Sequence, residues 1–126
     1  MSFSNTYETN VLTWTFTDGA VTRPTAWYVG LFTDNPGEAQ GGTEVSGGSY
    51  VREAVMFTVS GNLATNSAVI EWPAATATWG TITHVAIYDA ASGGNQIAYA
   101  ALNTAKTIAS GDVLRIPTGD LDVTLD

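Results

Sequence analysis

The chain has 126 residues, 44% of them hydrophobic and only 13% charged, with a net charge of −8 and no cysteine. That is about one domain's worth of chain, with roughly half the charged fraction of an average globular domain. The numbers exclude a disordered tail, a disulfide framework and a thiolate metal site. The four basic residues, Arg23, Arg52, Lys106 and Arg115, are scattered. They offer no clustered charge to neutralise phosphates and nothing to attract an anionic membrane, so neither a nucleic acid nor a membrane is expected as a partner.

Residues 1–18 form an N-terminal arm. Its first residues are polar, with no basic start and apolar run of the kind a secretory signal carries. Tyr7, Val11, Leu12 and Trp14 are spaced to share one side of a helix. Ser4 or Asn5 can cap it, with Glu8 close behind. The spacing predicts a short helix over Asn5 to Trp14, although Thr13-Trp14-Thr15-Phe16-Thr17 alternates as a strand would. Asp18-Gly19 ends the segment.

Ala26 to Phe32 is an almost continuous apolar run and reads as a buried strand, closed by the turn-forming Asp34-Asn35-Pro36-Gly37. Residues 37–49 then make one long glycine-rich loop with Glu38 and Glu44. It lacks the Gly-Lys-Ser/Thr ending of a phosphate loop, which leaves a surface excursion or a contact role.

Beyond it the pattern is regular. Tyr50 to Val59, Ser67 to Trp72, Ile82 to Tyr88, Gln96 to Leu102, Val113 to Ile116 and Leu121 to Leu125 read as strands, with turns at Ser60-Gly61-Asn62, Pro73-Ala74, Ala91 to Asn95, Ser110-Gly111-Asp112 and Thr118-Gly119-Asp120. Short strands between turn signals predict an all-β protein, a single antiparallel β-sandwich, jelly-roll-like, of about seven or eight strands. No stretch approaches the ~18 apolar residues of a membrane span.

Catalytic chemistry is thinly supplied. His84 is the one histidine and lies within a predicted strand, where a structural role is the ordinary one. Glu53, Glu71 and Asp89 could in principle pair as a glycosidase does, but acidic residues on outward strand faces are commonplace. Asp34-Asn35 and Asp120-Leu121-Asp122 do not match a calcium loop and read as turns. No catalytic residue, cofactor or metal is expected. Of Trp14, Trp27, Trp72 and Trp79, an exposed one could stack on a sugar; core packing or subunit contact is the commoner use.

Several strings carry a resemblance: Gly30-Leu31-Phe32-Thr33, the run from Gly41 to Tyr50 (GGTEVSGGSY), the run from Trp79 to Asp89 (WGTITHVAIYD), Gly93-Gly94-Asn95, and the Ser110-Gly111-Asp112 turn before the closing strand. Together they make residues 26–126 resemble a family of small tailed-phage virion proteins. Its members are commonly labelled tail fibre proteins, and similar small β-proteins serve as capsid cement. The N-terminal arm departs most, since relatives are more alanine-rich there. The resemblance implies a non-enzymatic component of the virion surface, assembled in the host cytoplasm. Its partners would be the major capsid protein or a tail component, and its own copies, as a homotrimer. With no elongated shaft in so short a chain, capsid decoration ranks ahead of a tail-fibre module that contacts a host glycan. The expected contact residues are Tyr7, Val11, Leu12, Trp14, Phe16, Glu38, Glu44, Tyr50 and Trp79.

Overall fold

The computed structural model describes residues 1–125. In chain order it contains β1 (Ser2–Phe3), α1 (Asn5–Phe16), β2 (Tyr28–Phe32), β3 (Glu53–Ala54), β4 (Phe57–Ser60), β5 (Leu63–Asn66), β6 (Ile70–Glu71), β7 (Gly80–Tyr88), β8 (Gln96–Ile108), β9 (Arg115–Ile116) and β10 (Asp122–Thr124). The described residues therefore form ten strands, where sequence alone predicts about seven or eight. The strands make three antiparallel sheets, ordered β1-β8-β7-β2-β3, β10-β5-β4 and β6-β9. None closes on itself, and the protein is all-β apart from α1.

The five-stranded sheet follows from the apolar runs. Val29 lies opposite Ile87 and Leu31 opposite Val85 across β2 and β7. All four are buried in the main core with Trp72, Trp79, Ile82 and Leu121. Because side chains alternate along a strand, Phe32, Ala86 and Tyr88 point to the opposite face and pack in a smaller cluster with Tyr99. The rings of Phe32 and Tyr88 lie nearly parallel, with centroids 6.3 Å apart.

Four predicted strands need correction. The one from Gln96 runs on past Leu102 to Ile108, and Val113 to Ile116 is strand only at Arg115–Ile116. Tyr50 to Val59 is not one strand. The chain pairs with β2 at Glu53–Ala54, then leaves that sheet and enters another at Phe57. Val55 marks the corner, buried and donating its N–H to Trp27 O at 2.9 Å. Ser67 to Trp72 is strand only at Ile70–Glu71. The preceding residues Leu63–Asn66, of mixed character and easily passed over, supply the hairpin partner of β4. Gly61 (φ 61°) opens the two-residue turn between them, the position where such turns favour glycine.

Asn66 holds this corner together. It is fully buried. Its amide donates to Ala68 O and Pro117 O, both at 2.9 Å, and its carbonyl accepts from the N–H groups of Gly119 (3.0 Å) and Leu121 (2.9 Å). A buried side-chain amide is tolerated when its donors and acceptors are paired in this way.

Candidate functional site

The glycine-rich loop is fastened along its length. Thr33 N donates to Thr43 O at 3.1 Å and Val45 N to Leu31 O at 3.0 Å, so the loop extends the sheet beside the end of β2. Asp34 accepts from Thr43 N at 2.5 Å and Asn35 from Gly37 N at 2.9 Å, which is turn chemistry. Gln40 donates to Gly94 O at 2.8 Å and accepts from Gln96 N at 2.9 Å, tying the loop to the β7–β8 connection.

Under the loop lies a polar hub. Arg52 forks onto Glu44, with Nε to Oε2 at 2.9 Å and Nη2 to Oε1 at 2.8 Å. Its Nη1 donates to Ala90 O at 3.0 Å and Gly93 O at 2.8 Å, and the guanidinium sits 3.7 Å from the centre of the Tyr88 ring. Only 8% of the Arg52 side chain and 24% of the Glu44 side chain remain exposed. Tyr50 Oη donates to Glu44 Oε2 at 2.6 Å and accepts from Leu31 N at 2.9 Å. Burial, then the bond to Glu44, pushes the Tyr50 hydroxyl far above the ordinary phenol range. Burial alone would lower the Arg52 pKa, but the bonds and charge of Glu44 outweigh it and raise it. Every group in this hub already has a partner within the chain. The hub clamps two loops to the sheet.

Trp79 belongs to the same assembly. It is 4% exposed. Its indole N–H donates to Gly48 O at 2.9 Å, and its ring meets Tyr50 edge-on with centroids 5.5 Å apart. Gly48 has φ 58°, and a Cβ there would come within 2.9 Å of Trp79 Nε1, so the close approach requires glycine. Trp72 is buried too and Trp27 half-buried, which leaves Trp14 as the one exposed tryptophan among the described residues. A sugar-stacking surface on Trp79 is therefore ruled out while the core is intact.

The helix presents the opposite situation. Ser4 caps α1, its Oγ accepting from Tyr7 N at 3.4 Å. Its own N–H donates to Ile97 O at 2.9 Å and its hydroxyl to Gln96 O. Asn5 N donates to Glu38 O at 3.0 Å, and Tyr7 Oη to Asp89 Oδ2 at 3.2 Å. Burial, followed by the Asp89 charge, pushes the Tyr7 pKa up to about 12. The first turn is thus bolted to the β7–β8 connection. Beyond it the helix is inside out. The half-covered residues are Tyr7, Asn10 and Thr13, one per turn. No residue of α1 is buried. Leu12 and Phe16, one turn apart on the far side, are 58% and 77% exposed, Trp14 is 74% exposed and Val11 37%. The helix also runs to Phe16, so the alternating Thr-Trp-Thr-Phe string is helical and not strand.

Nine expected contact residues thus divide by position. Val11, Leu12, Trp14 and Phe16 are open, and Glu38 is exposed with its carbonyl holding Asn5. Tyr7, Glu44 and Tyr50 are half-covered and bonded internally, and Trp79 is core. Arg52, Gln96 and Asn66, which organise these loops, were not singled out. The available signal was that one of only four cations stood among strand residues beside Tyr50.

The remaining titratable groups are dispersed. Glu53 lies on β3, its pKa raised by burial. Glu71 pairs with Arg115 at 3.2 Å on an exposed surface, and Asp89 accepts from Asn95 N at 2.7 Å. His84 stands mid-strand on β7, 2.8 Å from Thr83 Oγ1. Among the described residues no three His, Asp or Glu side chains gather as a metal ion would need.

The polar hub is thus saturated within the chain, while the apolar side of α1 stands uncovered. The chain belongs to the family described as podophage GP4 fiber I protein gp80, whose model matches residues 2–124. No curated protein matches it significantly.

Proposed function

We propose that this chain is a structural subunit of a podophage tail fibre, displayed on the virion surface, acting by assembly and not by catalysis, with α1 as its docking element. The observation that carries this is the outward display of Leu12, Trp14 and Phe16 on a helix whose first turn is fixed to the body. Exposed aromatic side chains cost free energy in water and become anchors when a partner covers them. The family description favours the tail. Capsid decoration is the second reading, since a compact β-domain with an uncovered apolar helix can equally dock on a shell. Association of the subunits as a homotrimer fits either place.

Copy number separates the two. Quantitative mass spectrometry of purified particles is expected to find a small multiple of the tail symmetry. A ratio near one per major capsid subunit would make it a shell protein. In the same particles, Trp14→Ser/Phe16→Ser is expected to be lost, and full incorporation would remove α1 as the docking element.

A further inference from the structure

The outward residues of α1 have a complement elsewhere on the same molecule. A cleft of about 380 Å³ opens between the five-stranded sheet and the β10-β5-β4 sheet. Phe3, Trp27 and Ile97 line it from one side, and Phe57, Val59 and Val123 from the other. Val59 lies opposite Ala64, which in turn faces Val123, so one face of the smaller sheet forms a continuous apolar wall. Val59 is 75% exposed and Met56, also in the lining, 64%. Arg23 is the sole charged residue of the lining.

We propose that this cleft receives the C-terminal half of α1 from a second copy of the chain, with Leu12 and Phe16, one turn apart on one side of the helix, as the inserted side chains. The proposal rests on the reading of α1 as a docking element and names its partner.

Charge supports the match. The last turn of α1 carries no basic residue, so its free carbonyls present the negative end of the helix dipole. Asp18 follows two residues later. These acceptors meet the one cation of an otherwise uncharged cleft. The helix cannot fill its own cleft without giving up the bonds that Ser4, Asn5 and Tyr7 make to Gln96, Ile97, Glu38 and Asp89. A second copy meets no such cost.

Area sets the strength. An aromatic side chain such as Phe16 buries roughly 150–250 Å² when fully covered, and with Leu12 beside it the contact stays well under the ~800 Å² per partner of a standard interface. The pairwise affinity is accordingly weak, in the micromolar range or above, and becomes effective where copies are held side by side. Knob and cleft are different surfaces, so the contact is heterologous. Such contacts close into a ring or run on as a filament.

The experiment is complementation with the full chain, read by sedimentation velocity over a range of concentrations. One variant is Leu12→Ser/Phe16→Ser, the other Val59→Asp, each checked for an unchanged β-sheet spectrum and cooperative melt. Wild type is expected to associate with rising concentration, and each variant alone to weaken that association at least tenfold. The equimolar mixture is expected to recover a heterodimer, because the intact helix of one variant enters the intact cleft of the other. A wild type that stays monomeric throughout would overturn the proposal. So would a Val59→Asp protein that associates normally, or a mixture that recovers nothing, which is the signature of a symmetric helix-to-helix contact. Should Trp14→Ser/Phe16→Ser also be lost from particles while the mixture fails, docking through α1 stands and the second copy is not its partner.

Discussion

At the scale of single residues the protein depends on a few saturated polar side chains. Arg52 joins Glu44, the carbonyls of Ala90 and Gly93, and the face of Tyr88. Removing one partner of a mostly buried pair leaves the other charge uncompensated. Arg52→Ala is therefore expected to cost about 2–4 kcal/mol in urea denaturation. Arg52→Lys should recover less than half of that, since one ammonium cannot reproduce the fork. Glu53 behaves in the opposite sense. Burial raises its pKa in the folded protein, so the fold binds its proton more tightly than the unfolded chain does. That contribution to stability is fully present below the unfolded carboxylate value and is lost as pH rises through the raised one. Glu53→Gln should raise the melting temperature at pH 7 and leave it unchanged at pH 3, and equal effects at both would deny that the Glu53 charge is a cost.

Elements were legible where local pattern and burial agree. Ile82 to Tyr88 announces itself because its apolar residues are buried, and Leu121 and Val123 do the same for the closing strand, seen as Asp122–Thr124, although the Leu125 beyond it is exposed. The corner at Val55–Met56 does not, because an unbroken run of strand-forming residues carries no mark of where it changes sheets. Leu63–Asn66 was missed for the converse reason: the strand is defined by pairing with two neighbours and by Asn66 bonding to Pro117, Gly119 and Leu121, which only tertiary structure reveals. In the polar hub Glu44 and Tyr50 were recognisable as residues of interest, but their inward direction was not. The helix was legible from its cap, while its apolar side turned outward. That inversion makes a specific expectation for α1. Leu12→Ser and Phe16→Ser should each change the stability of the isolated subunit by no more than about 0.5 kcal/mol, as exposed positions do. Ser4→Ala removes the cap and the bond to Gln96. It should cost about 1 kcal/mol and speed amide exchange across α1 before the sheets respond. A twelve-residue helix has little stability of its own.

At the scale of the whole molecule, charge and assembly oppose each other. Every copy carries a net charge of −8, with twelve acidic against four basic residues. Two of those cations, Arg52 and Arg115, are already paired within the chain. Copies brought together therefore repel over distances comparable with the Debye length, about 30 Å at 0.01 M salt and 8 Å at 0.15 M. Contacts through Leu12 and Phe16 are apolar and insensitive to that screening, and the attraction of Arg23 for the end of α1 acts only at close range. The long-range repulsion is the part that salt removes. Self-association of the wild type should consequently strengthen several-fold between 0.01 M and 0.15 M salt, measured as the dissociation constant from sedimentation. The same gain should follow from lowering the pH toward the isoelectric point near 4.2, where the net charge vanishes. An interface built on ion pairs would do the reverse, weakening as salt rises, and that result would move the contact away from the aromatic helix and onto the charged surface.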